Sequence, residues 1–434
     1  MKITIIGAGS ICFTKNLVGD ILSIKEFSDC CIALCDIDVE RLKNSEKMVN
    51  TMITQLNVNA TVLTSIERRD ILKGSDFVIL TIQVGALKEY EKDIMIPLKK
   101  YGLDQCVGDT IGVGGVFRAL RTIPVLLDIA RDMEELCPNA YLLNYVNPMS
   151  MNTMALYRST DIRLVGLCHS VQGTGEELAK YINAPIDEIG YEVAGINHMA
   201  WFLKYEWNGK DAYPLIHEQY GGKFYKDDMI KFEILKYFNY FVTESSHHFS
   251  EYVPYFRKHE NILLDINQMA WLKAYGGSCF EYVKDRQEEF YNALQKQIDG
   301  EIPMEIERSN EYCSRIIEAI MCNRTTKIYG NVENTGLITN LPHGCCVEVP
   351  ILVDRNGLTP CYIGDLPVQL AGLCRPLVTV QELATHAALT GDKEAAINAV
   401  MLDPFTSSML SLPQIENMCL DLFEAEKEYL PQFR

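Results

Sequence analysis

Two residues whose side chains suit metal binding, Cys168 and His198, each stand at the end of an apolar run. Cys168 follows the run 162–167, and His198 follows the run 191–196. Short apolar runs of this kind are typical of buried strands, so both side chains are predicted at strand ends. Because structural zinc sites are closed by four ligands, two ligands from separate strand ends predict an open metal site. A buried apolar thiol and a core histidine are the alternatives.

A glycine-rich turn near the N-terminus, Gly7-Ala-Gly9-Ser10, predicts dinucleotide binding. It follows an apolar strand candidate and precedes residues 15–24, whose apolar positions recur at helical spacing. Glycines let the backbone approach a pyrophosphate, and the helix N-terminus supplies N–H groups and a partial positive charge. The third position of the usual glycine pattern holds Cys12, so the fingerprint is incomplete.

Polar residues at the ends of three further strand candidates are expected beside the cofactor or the substrate. Asp36 ends the strand candidate 31–35, where an acidic residue binds adenosine ribose hydroxyls; capping of a loop is the alternative. Gln83 follows a second apolar run, and Asn147 follows a third. The Asn147 amide is predicted to hold a substrate hydroxyl or the nicotinamide, although Asn-Pro is also a common turn.

The order of strand and helix candidates predicts the fold class. Their alternation up to about residue 144 indicates an α/β protein with a Rossmann-like doubly wound parallel sheet. After His198 the pattern changes to a loosely alternating segment, a hairpin signal at Asn208-Gly209, and then helices mixed with strands. We therefore predict an NAD-binding Rossmann-like domain at 1–198. A mixed α+β second lobe at 199–434 is predicted to bind substrate and support oligomerisation.

The segment 102–121 is unusually rich in glycine, and we expect a mobile or closely approached loop beside the cofactor. Its central carboxylate, Asp109, is expected either to support a catalytic base or to cap a turn. Arg118 and Arg121 stand one helical turn apart and share a face. They are expected to be solvated or paired with acids rather than catalytic.

Composition narrows the class of protein. Of 434 residues, 48% are apolar, which suits a packed globular protein. The net charge of −18 disfavours nucleic acids and anionic membranes as partners. Fifteen cysteines without a C-x-x-C pair, and no segment of signal-peptide or membrane-spanning type, predict a soluble protein with reduced thiols in the cytoplasm.

Taken together, the motifs resemble those of glycoside hydrolase family 4, and the similarity runs nearly end to end. In the metal motif, Cys168-His-Ser resembles the α-galactosidase branch, since the phospho-glycosidase branches carry other residues after the cysteine. The resemblance implies NAD and a divalent metal, typically Mn²⁺, and a homodimer or homotetramer acting on a small glycoside. The segments that carry it are Gly7–Ser10, Asp109-Thr with Gly114-Gly115, Asn147-Pro148, Cys168–Gln172, Gly195–Ala200, Thr243–Ser246, Thr335–Pro342 and Val347–Val349.

The family's chemistry, as the resemblance implies it, departs from the usual pair of carboxylates. NAD⁺ takes a hydride from carbon 3 of the sugar, and the resulting ketone acidifies the proton on carbon 2. Loss of that proton, with metal stabilisation of the enediolate, expels the aglycone. Water then adds, and NADH returns the hydride. Cys168 and His198 would be the protein ligands of the metal.

The resemblance also implies catalytic residues. His169 occupies the place of the acid that protonates the leaving oxygen, with a supporting role in the metal site as the alternative. A tyrosine serves as the base in several members, in the region matching 243–252. Here His248 stands near that place and Tyr252 one helical turn further, so either is a candidate base.

Two other functions compete with this interpretation. A 2-hydroxy-acid dehydrogenase shares the glycine turn and the Asn-Pro strand end, but it would need a histidine–aspartate pair and carboxylate-binding arginines, which we cannot place. The second competing function is that of a non-catalytic sugar sensor with bound NAD. Within the hydrolase interpretation, α-glucosides and α-uronides are alternatives to α-galactosides.

Overall fold

The computed structural model describes residues 1–267 and 279–433. A mixed sheet of twelve strands forms the centre of this part of the chain, in the order β3-β2-β1-β4-β5-β6-β10-β11-β7-β8-β9, with β12 paired to β11. The strands are β1 (Lys2–Ile6), β2 (Cys31–Cys35), β3 (Thr61–Ser65), β4 (Phe77–Leu80), β5 (Tyr141–Asn144), β6 (Arg163–Gly166), β7 (Ile189–Ile196), β8 (Met199–Trp207), β9 (Lys210–Asp211), β10 (Thr326–Glu333), β11 (Cys346–Asp354) and β12 (Gly357–Pro360).

Strands β1 to β6 form the predicted doubly wound parallel half of the sheet. Strand β1 pairs with β2 on one side and with β4 on the other, both in parallel register. The side chains of β1, β2 and β4 are almost wholly buried, as expected for parallel strands that helices cover on both faces. The predicted α/β fold class is therefore confirmed.

The second half of the sheet is antiparallel and continues directly from the first. Strand β10 pairs with β6 at Asn331 and Gly166, and β11 pairs with β7 at Glu348 and Gly195. The sequence-distant strands β10 and β11 therefore lie between β6 and β7. The hairpin predicted at Asn208-Gly209 joins β8 to β9. Since one sheet crosses the boundary proposed near residue 198, the two-domain division stays a prediction.

Helices cover both faces of the sheet. Short 3-10 turns occur at Lys25–Phe27, Ile186–Glu188 and Pro431–Phe433. The described α-helices are α1 (Ile11–Leu22), α2 (Val39–Leu56), α3 (Arg68–Leu72), α4 (Ala86–Tyr101), α5 (Gly112–Leu136), α6 (Met149–Ser159), α7 (Ser170–Tyr181), α8 (Tyr213–His217), α9 (Met229–Phe238), α10 (Ser246–Phe249), α11 (Glu260–Asn267), α12 (Cys279–Ile298), α13 (Tyr312–Cys322), α14 (Val368–Thr390), α15 (Lys393–Leu402), α16 (Pro404–Met409) and α17 (Leu412–Ala425).

The glycine-rich loop predicted at 102–121 is only half correct. Helix α5 already begins at Gly112, so the second half of the predicted loop is helical. Gly114 and Gly115 lie inside this helix. Glycine is required there because a β-carbon at either position would collide with the backbone of Gly108 or Thr110. Close packing, rather than turn formation, explains these glycines.

None of the described helices has the length and apolar character needed to span a membrane.

Candidate active site

The structure brings Cys168 and His198 together. Cys168 lies two residues beyond the end of β6 and just before α7, while His198 occupies the two-residue turn between β7 and β8. His198 has a positive φ of 63°, which places its backbone in the sparsely populated left-handed region. The Sγ atom of Cys168 lies 3.3 Å from Nε2 of His198, and both side chains are buried.

The pair is electrostatically coupled to a buried carboxylate, Glu244, whose Oε2 lies 3.3 Å from Nε2 of His198. Burial opposes charge on all three groups, but the attraction of Cys168 and Glu244 to the His198 ring is stronger. It lowers the pKa of Cys168, raises the pKa of His198 to about 10 and lowers the pKa of Glu244 to about 2. The site therefore favours a protonated imidazole beside an ionised carboxylate, and it makes the thiol easier to deprotonate.

This donor set fits a divalent cation with an incomplete protein coordination sphere. A separation of 3.3 Å suits two neighbouring ligands whose bonds to one ion are about 2.0–2.3 Å long. Among residues 1–267 and 279–433, no group of three or more His, Cys, Asp or Glu side chains is arranged to hold a metal ion. Both polar side-chain atoms of the adjacent Asn197 are buried without a hydrogen-bond partner in the same ranges. Polar atoms without a partner therefore lie next to the two proposed metal ligands.

The two candidate bases lie on the opposite side of the His198 ring. Nε2 of His248 and the hydroxyl of Tyr252 are each 3.1 Å from Nδ1 of His198. Nδ1 of His248 lies 2.7 Å from the carboxylate of Glu251. Burial alone would lower the pKa of His248, but contact with Glu251 raises it above its ordinary value. Burial also raises the pKa of Tyr252 well above its ordinary value.

Asp109 and Asn147 form the next part of the site. The Asn147 amide nitrogen donates to Oδ2 of Asp109 at 3.2 Å, and Oδ1 of Asp109 lies 3.8 Å from Nε2 of His248. Arg118 donates from Nε to the Asn147 carbonyl oxygen at 3.3 Å. Burial opposes ionisation of Asp109, but Arg118 and His248 more than compensate and lower its pKa.

The two arginines of α5 differ more than the sequence indicates. For Arg118 the expected pairing with an acid is confirmed, because it faces Asp109, and it also contacts Asn147 of the candidate site. Arg121 is fully buried and pairs with Asp93 and Glu426. For Arg121 the expected pairing with acids is confirmed and solvation is wrong.

His169 lies at the surface of the same site. It is the N-cap residue of α7, and its side chain is 69% exposed. Its Nδ1 atom is 3.9 Å from Oε1 of Glu311. Burial raises the pKa of the Glu311 carboxyl, and the charge of His169 acts in the opposite direction.

The predicted dinucleotide turn leads from β1 into α1, which begins at Ile11 directly after Ser10. The backbone N–H of Gly9 donates to Oδ2 of Asp36 at 2.7 Å, so the turn and the end of β2 are joined. A β-carbon on Gly9 would lie 2.7 Å from that same oxygen, and one on Gly7 would lie 2.7 Å from the backbone of Thr81. Only glycine fits at these two positions.

Gln83 follows β4 and lies beside the same turn. Its side-chain nitrogen donates to the Ala86 carbonyl oxygen at 3.3 Å, at the start of α4. Both oxygens of Asp36 accept backbone N–H groups, from Gly9 and Asp38, so loop capping accounts for part of its role. A carboxylate has further lone pairs for ribose hydroxyls.

Three carboxylates around Cys168, His198 and His248 had no role in the sequence-based prediction. They belong to Glu244, Glu251 and Glu348. Glu244 stands in the Thr243–Ser246 motif and Glu348 in the Val347–Val349 motif, and these motifs were the available signals. Glu251 accepts from the backbone N–H groups of Val107 and Gly108 and so joins the Asp109 loop to α10. Glu348 lies on β11, and burial followed by the charge of Cys168 raises its pKa well above the ordinary value.

Comparison with known proteins shows which sequences this chain resembles. The family model "Family 4 glycosyl hydrolase" matches residues 2–184, and "Family 4 glycosyl hydrolase C-terminal domain" matches residues 193–406. An α-galactosidase of Bacillus subtilis (strain 168) is 44% identical over the full length of both chains. An α-galactosidase of Rhizobium meliloti (strain 1021) is 38% identical, with 100% of this chain and 89% of that protein covered.

The fold is also that of a solved enzyme. The structure of the 6-phospho-β-glucosidase from Thermotoga maritima, with manganese, NAD⁺ and glucose-6-phosphate, superposes with a TM-score of 0.81 at 23% identity, covering 99% of each chain. The match of both family models, together with full-length identity of 44%, shows that this chain belongs to glycoside hydrolase family 4.

Proposed function

We propose that the protein is an α-galactosidase that depends on NAD and a divalent cation, Mn²⁺ in the first instance. The observation that carries the proposal is the buried Cys168–His198 pair, whose Sγ and Nε2 atoms lie 3.3 Å apart, a separation that suits two ligands of one cation. The two α-galactosidases that are 44% and 38% identical support the choice of sugar. NAD and manganese in the solved structure of the Thermotoga maritima enzyme support the cofactors.

The proposed reaction proceeds by transient oxidation at carbon 3, elimination across carbons 1 and 2, addition of water and re-reduction. The glycosidic bond breaks in the elimination step. When bound, NAD supplies reversible hydride acceptance, and the cation supplies positive charge beside the sugar oxygens. Cys168 and His198 would hold the cation, and a thiolate favours a borderline metal over Mg²⁺. The turn at Gly7, Gly9 and Ser10, with Asp36 and Gln83, would hold the dinucleotide.

Asn147 and Asp109 are placed to bind and orient the sugar. Because the Asn147 side-chain nitrogen donates to Asp109 and Arg118 binds the Asn147 backbone oxygen, the side-chain oxygen Oδ1 is left to accept a sugar hydroxyl. Arg118 contacts both residues and keeps Asp109 ionised through its charge. The ionised Asp109 also faces His248 at 3.8 Å and so stabilises a positive charge on that ring.

For the proton transfers, we propose His169 as the acid and either His248 or Tyr252 as the base. His169 is exposed where a leaving group departs, so its Nε2 atom can reach an aglycone oxygen. Both candidate bases contact Nδ1 of His198, on the side of the ring away from Cys168. Tyr252→Phe and His248→Asn separate them: loss of the base should abolish solvent deuterium entry at carbon 2, whereas loss of the other residue should leave it.

We also propose a cytoplasmic enzyme that assembles as a homodimer or homotetramer. All fifteen cysteines are free thiols, which suits a reducing compartment. Light scattering coupled to gel filtration measures the assembly, and a monomer at working concentration would contradict it.

The deciding experiment is a panel of 4-nitrophenyl α- and β-glycosides and α-uronides, each with and without NAD⁺ and Mn²⁺. We expect release of nitrophenol from the α-galactoside only when both cofactors are present. Preference for an α-glucoside or α-uronide would change the sugar but keep the chemistry. Net NADH formation from a hydroxy acid would instead favour the dehydrogenase, and sugar binding without hydrolysis would favour the sensor.

Isotopes test the elimination itself. Galactoside deuterated at carbon 2 should react more slowly if proton removal limits the rate, and the product formed in D₂O should carry deuterium there. Complete retention of the original hydrogen at carbon 2, or undiminished hydrolysis by cofactor-stripped protein, would refute the mechanism.

A further inference from the structure

The imidazole of His169 faces a carboxylate to which no role has been given, that of Glu311. Nδ1 and Oε1 are 3.9 Å apart, and while the His169 side chain is 69% exposed, the Glu311 side chain is only 14% exposed. The second oxygen of Glu311, Oε2, is buried without a hydrogen bond of good geometry in the described residues, and the buried hydroxyl of Tyr145 interacts with the same carboxyl. A nearly buried acid that also faces an exposed histidine needs a physical explanation.

The segment that carries Glu311 is attached to the helix that His169 begins. Gln172 donates from its side-chain nitrogen to the Asn310 carbonyl oxygen at 3.2 Å. Asn310 in turn donates from its side chain to the carboxylate of Glu176 at 2.5 Å. Both partners lie on α7, so Glu311 is fixed relative to the N-cap of that helix.

The same segment is attached to α1 on its other side. The backbone N–H of Ser309 donates to Oδ1 of the buried Asp20 at 2.6 Å. The N–H of Glu311 donates to the Ser309 hydroxyl oxygen at 3.2 Å. Two helices thus hold the Glu311 backbone, and its position does not depend on contact with His169.

A fixed carboxylate beside Nδ1 of an imidazole has a known physical effect. It accepts a hydrogen bond from Nδ1–H and thereby fixes the tautomer and the orientation of the ring. Nε2 is then left to exchange a proton with the substrate. The separation of 3.9 Å exceeds a hydrogen bond, but such contacts are often long without substrate and shorten in the complex. The exposed ring of His169 has room to make that adjustment.

We propose that Glu311 is the positioning residue of His169: it accepts Nδ1–H and directs Nε2–H at the glycosidic oxygen. The Nε2 proton passes to that oxygen as its bond to carbon 1 breaks. When water adds, its hydroxyl joins carbon 1 and its proton restores Nε2–H. The inference rests on the proposed function, because it assumes that His169 is the acid.

The test uses two galactosides that differ in their need for an acid. Methyl α-galactoside has a poor leaving group, whereas 4-nitrophenyl α-galactoside leaves with little protonation. For Glu311→Gln we expect kcat on the methyl glycoside to fall about tenfold or more, and kcat on the nitrophenyl glycoside to change by less than about twofold. The matched control is Glu176→Gln, which removes a carboxylate from the same loop contact without facing His169; it should lower neither value selectively.

A double-mutant comparison completes the test. In a His169→Ala background, Glu311→Gln should cause no further loss on methyl α-galactoside. Equal losses on both substrates, no loss at all, or full additivity with His169→Ala would overturn the inference. The wild-type protein reports separately on the proposed function: absence of NAD- and Mn²⁺-dependent galactoside cleavage refutes that function. If His169→Ala leaves the methyl glycoside rate unchanged, the acid role fails and Glu311 has nothing to position.

Discussion

The buried arginine Arg121 supports a strong prediction about what holds the cofactor side of the fold together. Its guanidinium donates from NH1 to Asp93 at 2.9 Å and to Glu426 at 3.0 Å, and from Nε to the Val84 carbonyl oxygen at 3.2 Å. The side chains of Arg121, Asp93 and Glu426 are wholly buried. They connect α4, α5 and the end of α17 to the loop after β4, next to Gln83. We predict that substitution of Asp93 lowers the free energy of unfolding much more than substitution of Glu426.

The expected magnitudes follow from the hydrogen bonds and from protonation. Asp93 accepts from both NH1 and NH2 of Arg121, so Asp93→Asn leaves the buried cation without its main counter-ion. Breaking a buried pair in this way costs about 3–5 kcal/mol. Burial raises the pKa of both acids; the charge of Arg121 opposes this at both, while the charge of Asp93 raises the pKa of Glu426 further, so folding favours the protonated form at Glu426. Glu426→Gln preserves shape and charge and should cost about 1 kcal/mol or less.

The same reasoning fixes the sign of a pH effect. A carboxyl whose pKa is raised by folding contributes stability below its ordinary value of 4.5, and this contribution is lost as the pH rises through the folded-state pKa. Glu426→Gln cannot lose a proton, so its stability should fall less steeply than that of the wild type as the pH is raised.

Urea unfolding followed by circular dichroism, at several pH values, measures both effects. The midpoint should fall strongly for Asp93→Asn and slightly for Glu426→Gln, with similar slopes for all three proteins. Similar losses for the two variants, or a wild-type pH profile in Glu426→Gln, would refute the assignment of charge within this cluster.

Three further predictions concern the site. Cys168→Ser should raise the Mn²⁺ concentration for half-maximal activity about tenfold or more, since a hydroxyl is a poorer ligand than a thiolate; an unchanged Mn²⁺ titration would contradict the ligand role. Gly9→Ala places a methyl group 2.7 Å from Asp36, so the NAD dissociation constant from fluorescence titration should rise about tenfold while circular dichroism shows a folded protein. Asn147→Ala should lower kcat on the galactoside while NAD binding is retained, and equal loss of both would place Asn147 on the cofactor instead.

Local patterns were sufficient for the parallel half of the fold. Buried parallel strands form continuous apolar runs, and the strand at Cys31–Cys35 was therefore located to the residue. The same rule located the strand ends that carry Asp36 and Asn147. Local patterns fail where tertiary packing selects the residue type. Gly114 and Gly115 indicated a loop, yet they lie in α5, and glycine is needed there because two backbones approach closely.

The acids of the site could not be found by the same means. Glu244 approaches His198 because its loop follows an isolated bridge between Trp201 and Val242, a tertiary contact without periodicity in the sequence. Glu311 lies 142 positions after His169 and reaches it through contacts of its loop with two helices. Residue type alone does not distinguish these carboxylates from solvated ones.

The ligand pair itself depends on strands that the sequence does not connect to it. Strands β6 and β7, which precede Cys168 and His198, are not neighbours, since β10 and β11 lie between them. Asn331 bridges this gap by donating from its amide to the Gly166 carbonyl oxygen at 3.3 Å and to Glu348 at 3.4 Å. Glu348 is paired in turn with Gly195 on β7. The 3.3 Å separation of thiol and imidazole is therefore set by the antiparallel half of the sheet, so the parallel half alone could not form the metal site that we propose at Cys168 and His198.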